Sequence, residues 1–250
     1  MLPDIALVLA ASGLIVVHRR GVLADRGANR LLDGWGFAVG LAVALIAVTP
    51  VVEAAAARSF VSHMAQHQVL LLVAAPLIAA SLPLRSLWVG ATGRPWRSEA
   101  RFGGPAAWAI PAALVAVAVV LAWHVPMFYD LAMARSSVHS FEHATLFGSA
   151  VGLWATVMHA AEDRRRLGSA VIALAGTAIV GAGLGVVLLT APRPLYAAYV
   201  AGGAVALEQQ QVGGALMKVG ALLVHAGAAV GITLRWLHRF DDSPASASSR

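Results

Sequence analysis

The chain has 250 residues, of which 59% are hydrophobic and only 12% are charged, and it carries a formal net charge of +6 and no cysteine. This composition excludes an ordinary soluble domain and is typical of an integral membrane protein. The lack of cysteine excludes a disulfide framework, a thiolate metal site and thiol redox chemistry.

Apolar stretches long enough to cross a hydrocarbon core of about 30 Å predict seven transmembrane helices. In chain order they lie at residues 3–18, 35–52, 63–83, 105–124, 139–160, 169–190 and 212–236. The first is not a secretory signal, because its basic cluster His18–Arg20 follows the apolar run instead of preceding it. The expected fold is therefore an all-α polytopic membrane helical bundle. It forms a single domain over residues 1–240, followed by a disordered cytoplasmic tail at 241–250.

The arginines are concentrated in alternate loops. Clusters lie within residues 19–30, 85–101 and 164–166 and at the C-terminal end, whereas the intervening loops carry only Arg58, Arg135 and Arg193. Because cytoplasmic loops are enriched in Arg and Lys, this pattern predicts an external N-terminus and a cytoplasmic C-terminus. It also assigns the cations to the membrane surface, so no nucleic-acid partner is expected.

Five of the nine histidines fall at the predicted external ends of three spans. They are His63 and His67 at the start of the third span, His124 at the end of the fourth, and His139 and His143 at the start of the fifth. The first and last pairs are spaced four residues apart, which places both imidazoles of each pair on one helix face. Imidazoles clustered at one depth predict a metal site, with copper favoured, zinc second and haem left open.

Other side chains are candidates for additional ligands. Met64, Asp130 and Glu142 lie near the same predicted surface, and Glu142 shares a helix face with His139. Glu142 is interpreted either as a ligand or as an acceptor that fixes an imidazole tautomer. His225 lies about 13 residues into the seventh span, where a polar side chain is costly. It is a candidate for a metal or proton path, or else for a hydrogen-bonded packing contact.

Several segments follow one another in a characteristic order. They are His63-Met64-Ala65-Gln66-His67, Trp123-His124-Val125-Pro126 with Tyr129-Asp130, His139-Ser140-Phe141-Glu142-His143, Pro194-Leu195-Tyr196, and the run from Glu208 to Met217. Together they resemble the CtaG family of membrane cytochrome c oxidase assembly factors, the polytopic type associated with caa3 oxidase. The resemblance covers residues 35–236. Departures occur at Glu208, where an aspartate is expected, and at Lys218-Val219-Gly220, which replaces a Trp followed by a Pro-Gly-like turn.

The resemblance implies an assembly factor, not an enzyme, that resides in the bacterial inner membrane and assists maturation of the oxidase copper centre. The expected partners are the lipid bilayer and either haem-copper oxidase subunits or a periplasmic copper chaperone. The residues alone leave two other functions open, a haem-binding membrane electron carrier and a metal or proton transporter. A transporter needs polar residues that continue to the cytoplasmic side, for which Lys218 and His225 are the candidates.

Overall fold

A computed structural model describes residues 2–24, 30–81, 83–94, 105–201 and 203–241. All regular secondary structure within these ranges is helical, as the sequence predicts. The predicted disordered tail at 241–250 lies outside the described residues, except for Asp241, which ends the last helix.

The described ranges contain α-helices of 4 to 27 residues, two five-residue π-helical segments and one 3-10 turn. The π segments are Leu70–Ala74, between α4 and α5, and Leu222–Ala226, between α12 and α13; the 3-10 turn Pro105–Trp108 precedes α7. The α-helices are α1 (Leu2–Ala24), α2 (Arg30–Ala47), α3 (Pro50–Ala56), α4 (Phe60–Val69), α5 (Ala75–Ala80), α6 (Pro83–Thr92), α7 (Ala109–Trp123), α8 (Pro126–Ala134), α9 (Ser136–Glu162), α10 (Leu167–Thr190), α11 (Ala197–Val200), α12 (Ala204–Ala221) and α13 (Gly227–Asp241).

Four continuous helical stretches in the described part of the chain are long and apolar enough to cross a membrane. They are Phe60–Ala80, Ser136–Glu162, Leu167–Thr190 and Ala204–His238. Two bent pairs, Trp35–Ala47 with Pro50–Arg58 and Ala109–Trp123 with Pro126–Ala134, raise the number to six if each pair is one span. The prediction of a polytopic helical membrane protein is confirmed at this level, with four to six candidate spans. The first predicted span lies within α1.

The two bends occur at prolines. Pro50 begins α3 and Pro126 begins α8, and the residues before them, Thr49 and Val125, have extended backbone conformations. This is expected, because proline has no N–H to donate and disfavours helical dihedrals in the preceding residue. The helices on the two sides of each break differ in direction by 51° at Pro50 and 71° at Pro126. The predicted span 35–52 is therefore not one continuous helix.

The helices that carry the histidines pack against several neighbours. α5 and the preceding π segment pack against α9, and α7 packs against both α9 and α10. α4 packs against α12 and α3. The imidazoles of α4 and α9 meet in the space between those two helices, near the breaks at Pro50 and Pro126.

α10 and α12 cross at two glycines. A Cβ atom on Gly185 would lie 2.5 Å from the Gly214 carbonyl oxygen, and a Cβ atom on Gly214 would lie 2.6 Å from the Gly185 carbonyl oxygen. These distances are shorter than a real Cβ contact tolerates, so the two backbones can approach only because neither residue has a side chain. The crossing fixes α12 against α10 and thereby against the helices that carry the histidines.

Candidate metal centre

Two groups of three side chains come from α3 and from the N-terminal parts of α4 and α9, and in each group the ligand atoms are within 4.8 Å of one another. We refer to them as the inner group, which consists of His63, His67 and Glu142, and the outer group, which consists of Glu53, His139 and His143.

Glu142 is the centre of the inner group. Its Oε1 atom lies 3.8 Å from Nε2 of His63 and 3.8 Å from Nε2 of His67. All three side chains are buried, and only 1% of Glu142 is exposed. Transfer of a carboxylate from water to such a site costs several kcal/mol unless a cation pairs with it. A cation bound in the inner group would offset that cost.

Glu53 is the centre of the outer group. Its Oε2 atom lies 3.1 Å from Nδ1 of His139, and its Oε1 atom lies 3.4 Å from Nδ1 of His143. The Glu53 side chain is 30% exposed, so the outer group is open to its surroundings while the inner group is enclosed. His139 joins the two groups, because its Nε2 atom lies 4.0 Å from Oε2 of Glu142.

The imidazole rings of the two groups are in contact. Ring centroids are 4.4 Å apart for His63 and His67 and 4.2 Å apart for His139 and His143. Between helices, His63 lies 5.2 Å from His139 and His67 lies 5.2 Å from His143. Four of the five predicted histidines are thus brought together from two helices.

Many polar atoms of this cluster have no hydrogen-bond partner among the described residues although they are buried. They are both ring nitrogens of His63 and His67, Nε2 of His124, His139 and His143, and both carboxylate oxygens of Glu142. Each unsatisfied buried polar atom costs about 1–3 kcal/mol. A bound metal ion relieves this cost, because its coordination sphere takes up the lone pairs of several imidazoles and a carboxylate at once.

The spacing also suits a metal ion. Bonds of about 2.0–2.1 Å in tetrahedral geometry put neighbouring ligand atoms about 3.3 Å apart. The two separations of 3.8 Å between Glu142 and the imidazoles of the inner group need to shrink by about 0.5 Å to reach that value.

Gln66 holds Glu53 in place. Its Nε2 atom donates hydrogen bonds of 2.8 Å to Oε1 of Glu53 and of 2.8 Å to the Ala47 carbonyl oxygen. These bonds connect α4 to α3 and to the end of α2 across the break at Pro50. Partners of this kind orient a ligand and contribute strongly to metal affinity.

A cavity of about 70 Å³ adjoins the inner group and extends into the bundle. His67 and His124 lie in its wall, together with Gln68 and His225, while most of the remaining lining is apolar. The Nδ1 atom of His124 lies 2.7 Å from the Val120 carbonyl oxygen. A ring that donates from Nδ1 keeps the lone pair of Nε2 for another ligand. His124 belongs to neither group of three but lies beside them.

His225 is at the far side of the same cavity. Its Nδ1 atom lies 3.1 Å from the Ala221 carbonyl oxygen, within the π segment, and its ring stacks on Trp154 with centroids 5.3 Å apart. These contacts agree with the hydrogen-bonded packing contact that was one of its two sequence interpretations, and a metal or proton path stays a prediction. Toward the other end of the bundle the adjoining core consists of apolar side chains, including Leu153, Val157 and Leu174.

An aromatic cluster closes one side of the site. Phe60, Tyr129 and Tyr196 pack together, and the ring of Tyr129 lies 5.2 Å from that of His63. Tyr196 donates a hydrogen bond of 3.2 Å to the His124 carbonyl oxygen. Burial, with further contributions from the charges of Asp130 and Glu142, raises the pKa of Tyr196 well above its usual range, so the hydroxyl stays protonated.

Asp130 and Met64, two of the predicted additional ligands, lie outside both groups. The Asp130 carboxylate accepts hydrogen bonds from the backbone N–H groups of Ala197 and Ala198, at 3.1 and 3.0 Å, and so caps the first turn of α11. Met64 is fully buried and packs in the aromatic cluster with Phe60.

The segment from Glu208 to Met217 supports the site from α12. Oε1 of Gln209 accepts a hydrogen bond of 3.0 Å from the N–H of Phe60 at the start of α4. Gln210 accepts one of 2.7 Å from Leu195 N–H and donates one of 3.2 Å to the Leu188 carbonyl oxygen. The two glutamines therefore connect α12 to the helix that carries His63 and to the loop that carries Tyr196.

Sequence reasoning missed Glu53 as a candidate site residue. The predicted span 35–52 ended just before Glu53, so the sequence placed this residue in a loop and assigned it no helix face shared with a histidine. Its signal was a lone carboxylate three residues after Pro50 in an otherwise apolar segment, at the external end where the histidines were expected.

A family model described as cytochrome c oxidase caa3 assembly factor (Caa3_CtaG) matches residues 11–239, which is nearly the whole chain. No curated protein and no solved structure matches significantly.

Proposed function

This chain belongs to the family of cytochrome c oxidase caa3 assembly factors, and we propose that it contributes to assembly by binding a copper ion and releasing it for the oxidase copper centre. The family is one of assembly factors, which agrees with a role other than catalysis. In this proposal copper is the cargo of the protein. Its donor or acceptor is a periplasmic copper chaperone or a subunit of the oxidase.

The buried carboxylate of Glu142 carries this proposal. It is surrounded by His63, His67 and His139 at 3.8 to 4.0 Å, and neither of its oxygens has a hydrogen-bond partner among the described residues. A structural ion pair or a packing role would satisfy those oxygens. A cluster that leaves them unsatisfied is suited to an ion that enters and leaves.

Copper is the metal that the ligand types favour. Imidazole suits copper and zinc, and among divalent first-row ions copper binds such nitrogen and oxygen sites most tightly. The two carboxylates and the packing of Met64 away from both groups favour the divalent ion over the monovalent one, which prefers soft sulfur ligands.

The geometry argues against haem. A porphyrin between two axial histidines needs an open slot around the iron, whereas the rings of His63, His67, His139 and His143 contact one another and Glu142 fills the space between them. Transport across the membrane is disfavoured too. Beyond its histidines the cavity is lined mostly by apolar side chains, and the adjoining core contains Leu153, Val157 and Leu174.

We further propose seven spans, with α1 as the first, an external N-terminus, a cytoplasmic C-terminus and a location in the bacterial inner membrane. The arginine distribution supports this orientation and would place the cluster at the external face. Reporter fusions after Arg166 should indicate the cytoplasm, and a fusion near Ser136 should indicate the outside. The opposite pattern would place the cluster on the cytoplasmic face and remove its access to external copper.

The decisive experiment measures copper retention and oxidase activity together. His67→Ala and His143→Ala should each lower the copper content of the purified protein and the cytochrome oxidase activity of the host, and added copper should partly restore the activity. His159→Ala is the matched control, because His159 also lies on α9 but belongs to neither group, and its Nδ1 atom lies 2.7 Å from the Ala155 carbonyl oxygen. Unchanged oxidase activity in both site variants, with normal membrane levels, would contradict copper delivery.

A further inference from the structure

The cluster is divided into two parts that differ in accessibility. The outer group is centred on a carboxylate that is 30% exposed, and the inner group on a carboxylate that is 1% exposed. Resting on the proposed copper function, we propose that these are two alternative sites for one divalent ion. The outer group of Glu53, His139 and His143 receives the ion, and the inner group of His63, His67 and Glu142 then holds it.

The outer group has the features of a receiving site. Glu53 is reachable from outside and is held by Gln66, and its two oxygens point to Nδ1 of His139 and Nδ1 of His143. An arriving hydrated ion therefore meets a preorganised carboxylate and two imidazoles before it reaches the enclosed inner group. Partial exposure lets water replace ligands, so the ion can exchange quickly at this position.

The inner group has the features of a holding site. His63, His67 and Glu142 are enclosed, and their ring nitrogens and carboxylate oxygens have no hydrogen-bond partners among the described residues. An ion there gains the full electrostatic benefit of a low-dielectric site. Because incoming water or a chelator cannot reach the ion directly, it leaves slowly.

His139 provides the connection. Its Nδ1 atom is 3.1 Å from Glu53 and its Nε2 atom is 4.0 Å from Glu142, so one imidazole spans the two carboxylates. The rings of His67 and His143 are also adjacent, with centroids 5.2 Å apart. The ion can thus exchange Glu53 for Glu142 and one pair of imidazoles for the other over a distance of a few ångströms, without leaving the cluster.

Charge balance limits the cluster to one divalent ion at a time. Glu53 and Glu142 are the carboxylates of the two groups, and together they neutralise one doubly charged ion. A second such ion a few ångströms away would leave two positive charges uncompensated beside buried imidazoles, where repulsion is poorly screened.

The test uses the purified full-length protein with Cu²⁺ and a hydrophilic chelator. The wild-type protein, Glu53→Gln and Glu142→Gln should each bind one ion per chain. Copper bound to Glu142→Gln should be removed at least about tenfold faster than from the wild-type protein and should give a different electron paramagnetic resonance spectrum. Glu53→Gln should give the wild-type spectrum, and its copper should be removed as slowly as that of the wild-type protein. Its uptake of copper should be about tenfold slower. Glu162→Gln, which changes an exposed carboxylate at the far end of α9, is the matched control.

A measurement on the wild-type protein avoids any dependence on variant folding. Rapid mixing with Cu²⁺ should give a fast absorbance phase whose rate rises with copper concentration, followed by a slower phase whose rate does not. A single phase, two ions per chain, or equal effects of Glu53→Gln and Glu142→Gln on one spectrum would overturn the two-site mechanism while leaving copper binding intact. If the wild-type protein binds no copper, the proposed function fails along with it.

Discussion

Gln66 and Glu53 are joined by a hydrogen bond of 2.8 Å from Nε2 to Oε1, although Glu53 lies on the short helix that follows the break at Pro50. The same nitrogen donates to the Ala47 carbonyl oxygen on the other side of the break. One amide group therefore determines the position of the outer carboxylate relative to the helix that carries His63 and His67.

Gln66→Leu should weaken copper binding although it replaces none of the six side chains of the two groups, because Glu53 loses the amide that orients it. Partners that orient a ligand typically account for about 10–100-fold in metal affinity, and we expect a loss in that range from competition with a chelator of known affinity. The thermal unfolding midpoint in detergent serves as the control for folding. Wild-type affinity in a folded variant would show that Glu53 needs no support from Gln66.

Asp130→Ala should separate capping from metal binding. Loss of the two bonds to the backbone of α11 should destabilise the protein by about 1 kcal/mol, seen as a lower thermal unfolding midpoint. Copper stoichiometry should remain that of the wild-type protein, since Asp130 lies outside both groups. A fall in bound copper at a temperature where the variant is fully folded would instead show that Asp130 takes part in copper binding.

The sequence predicted the parts of the site that depend on helix periodicity. Spacing of four residues placed His63 with His67 and His139 with His143, and the predicted spans brought the two pairs to one end of the bundle. Glu142 followed from its position three residues after His139. Membership of the assembly-factor family, inferred from the same segments, is confirmed.

What the sequence did not predict depends on breaks and on lateral distances. Glu53 reaches His139 because the chain bends by 51° between α2 and α3, and no periodic pattern encodes the direction of such a bend. The division into two groups depends on which imidazole lies nearer to which carboxylate, and these distances differ by less than 1 Å, between 3.1 and 4.0 Å. The π segments at Leu70–Ala74 and Leu222–Ala226 likewise have no apolar periodicity that distinguishes them from an α-helix.

Gly214→Ala should destabilise the bundle, because the new Cβ atom would lie 2.6 Å from the Gly185 carbonyl oxygen and 2.8 Å from the Leu188 Cβ atom. Backbone atoms cannot rotate aside, so α10 and α12 must separate, at a cost of about 1–3 kcal/mol. Resistance to denaturation by sodium dodecyl sulfate is a suitable measurement. Gly183→Ala is the matched control on α10, since a Cβ there meets nothing within 4 Å. Equal stability of the two variants would contradict the close crossing.

Tyr196→Phe should make stability less sensitive to alkaline pH. The hydroxyl donates to the His124 carbonyl oxygen, and its removal should cost about 1 kcal/mol at pH 8. Burial raises the pKa of Tyr196 in the folded protein above the value of about 10 in the unfolded chain.

The stability that Tyr196 contributes is therefore fully present below a pH of about 10, the pKa of tyrosine in the unfolded chain. Between that pH and the higher folded-state pKa only the unfolded chain releases the proton. The contribution is therefore lost as the pH rises through the folded-state pKa. Unfolding midpoints measured from pH 8 to about 11 should fall more steeply for the wild-type protein than for Tyr196→Phe, so the difference between them narrows. A difference that stays constant or widens with pH would mean that the Tyr196 hydroxyl is not held in its protonated form at this position.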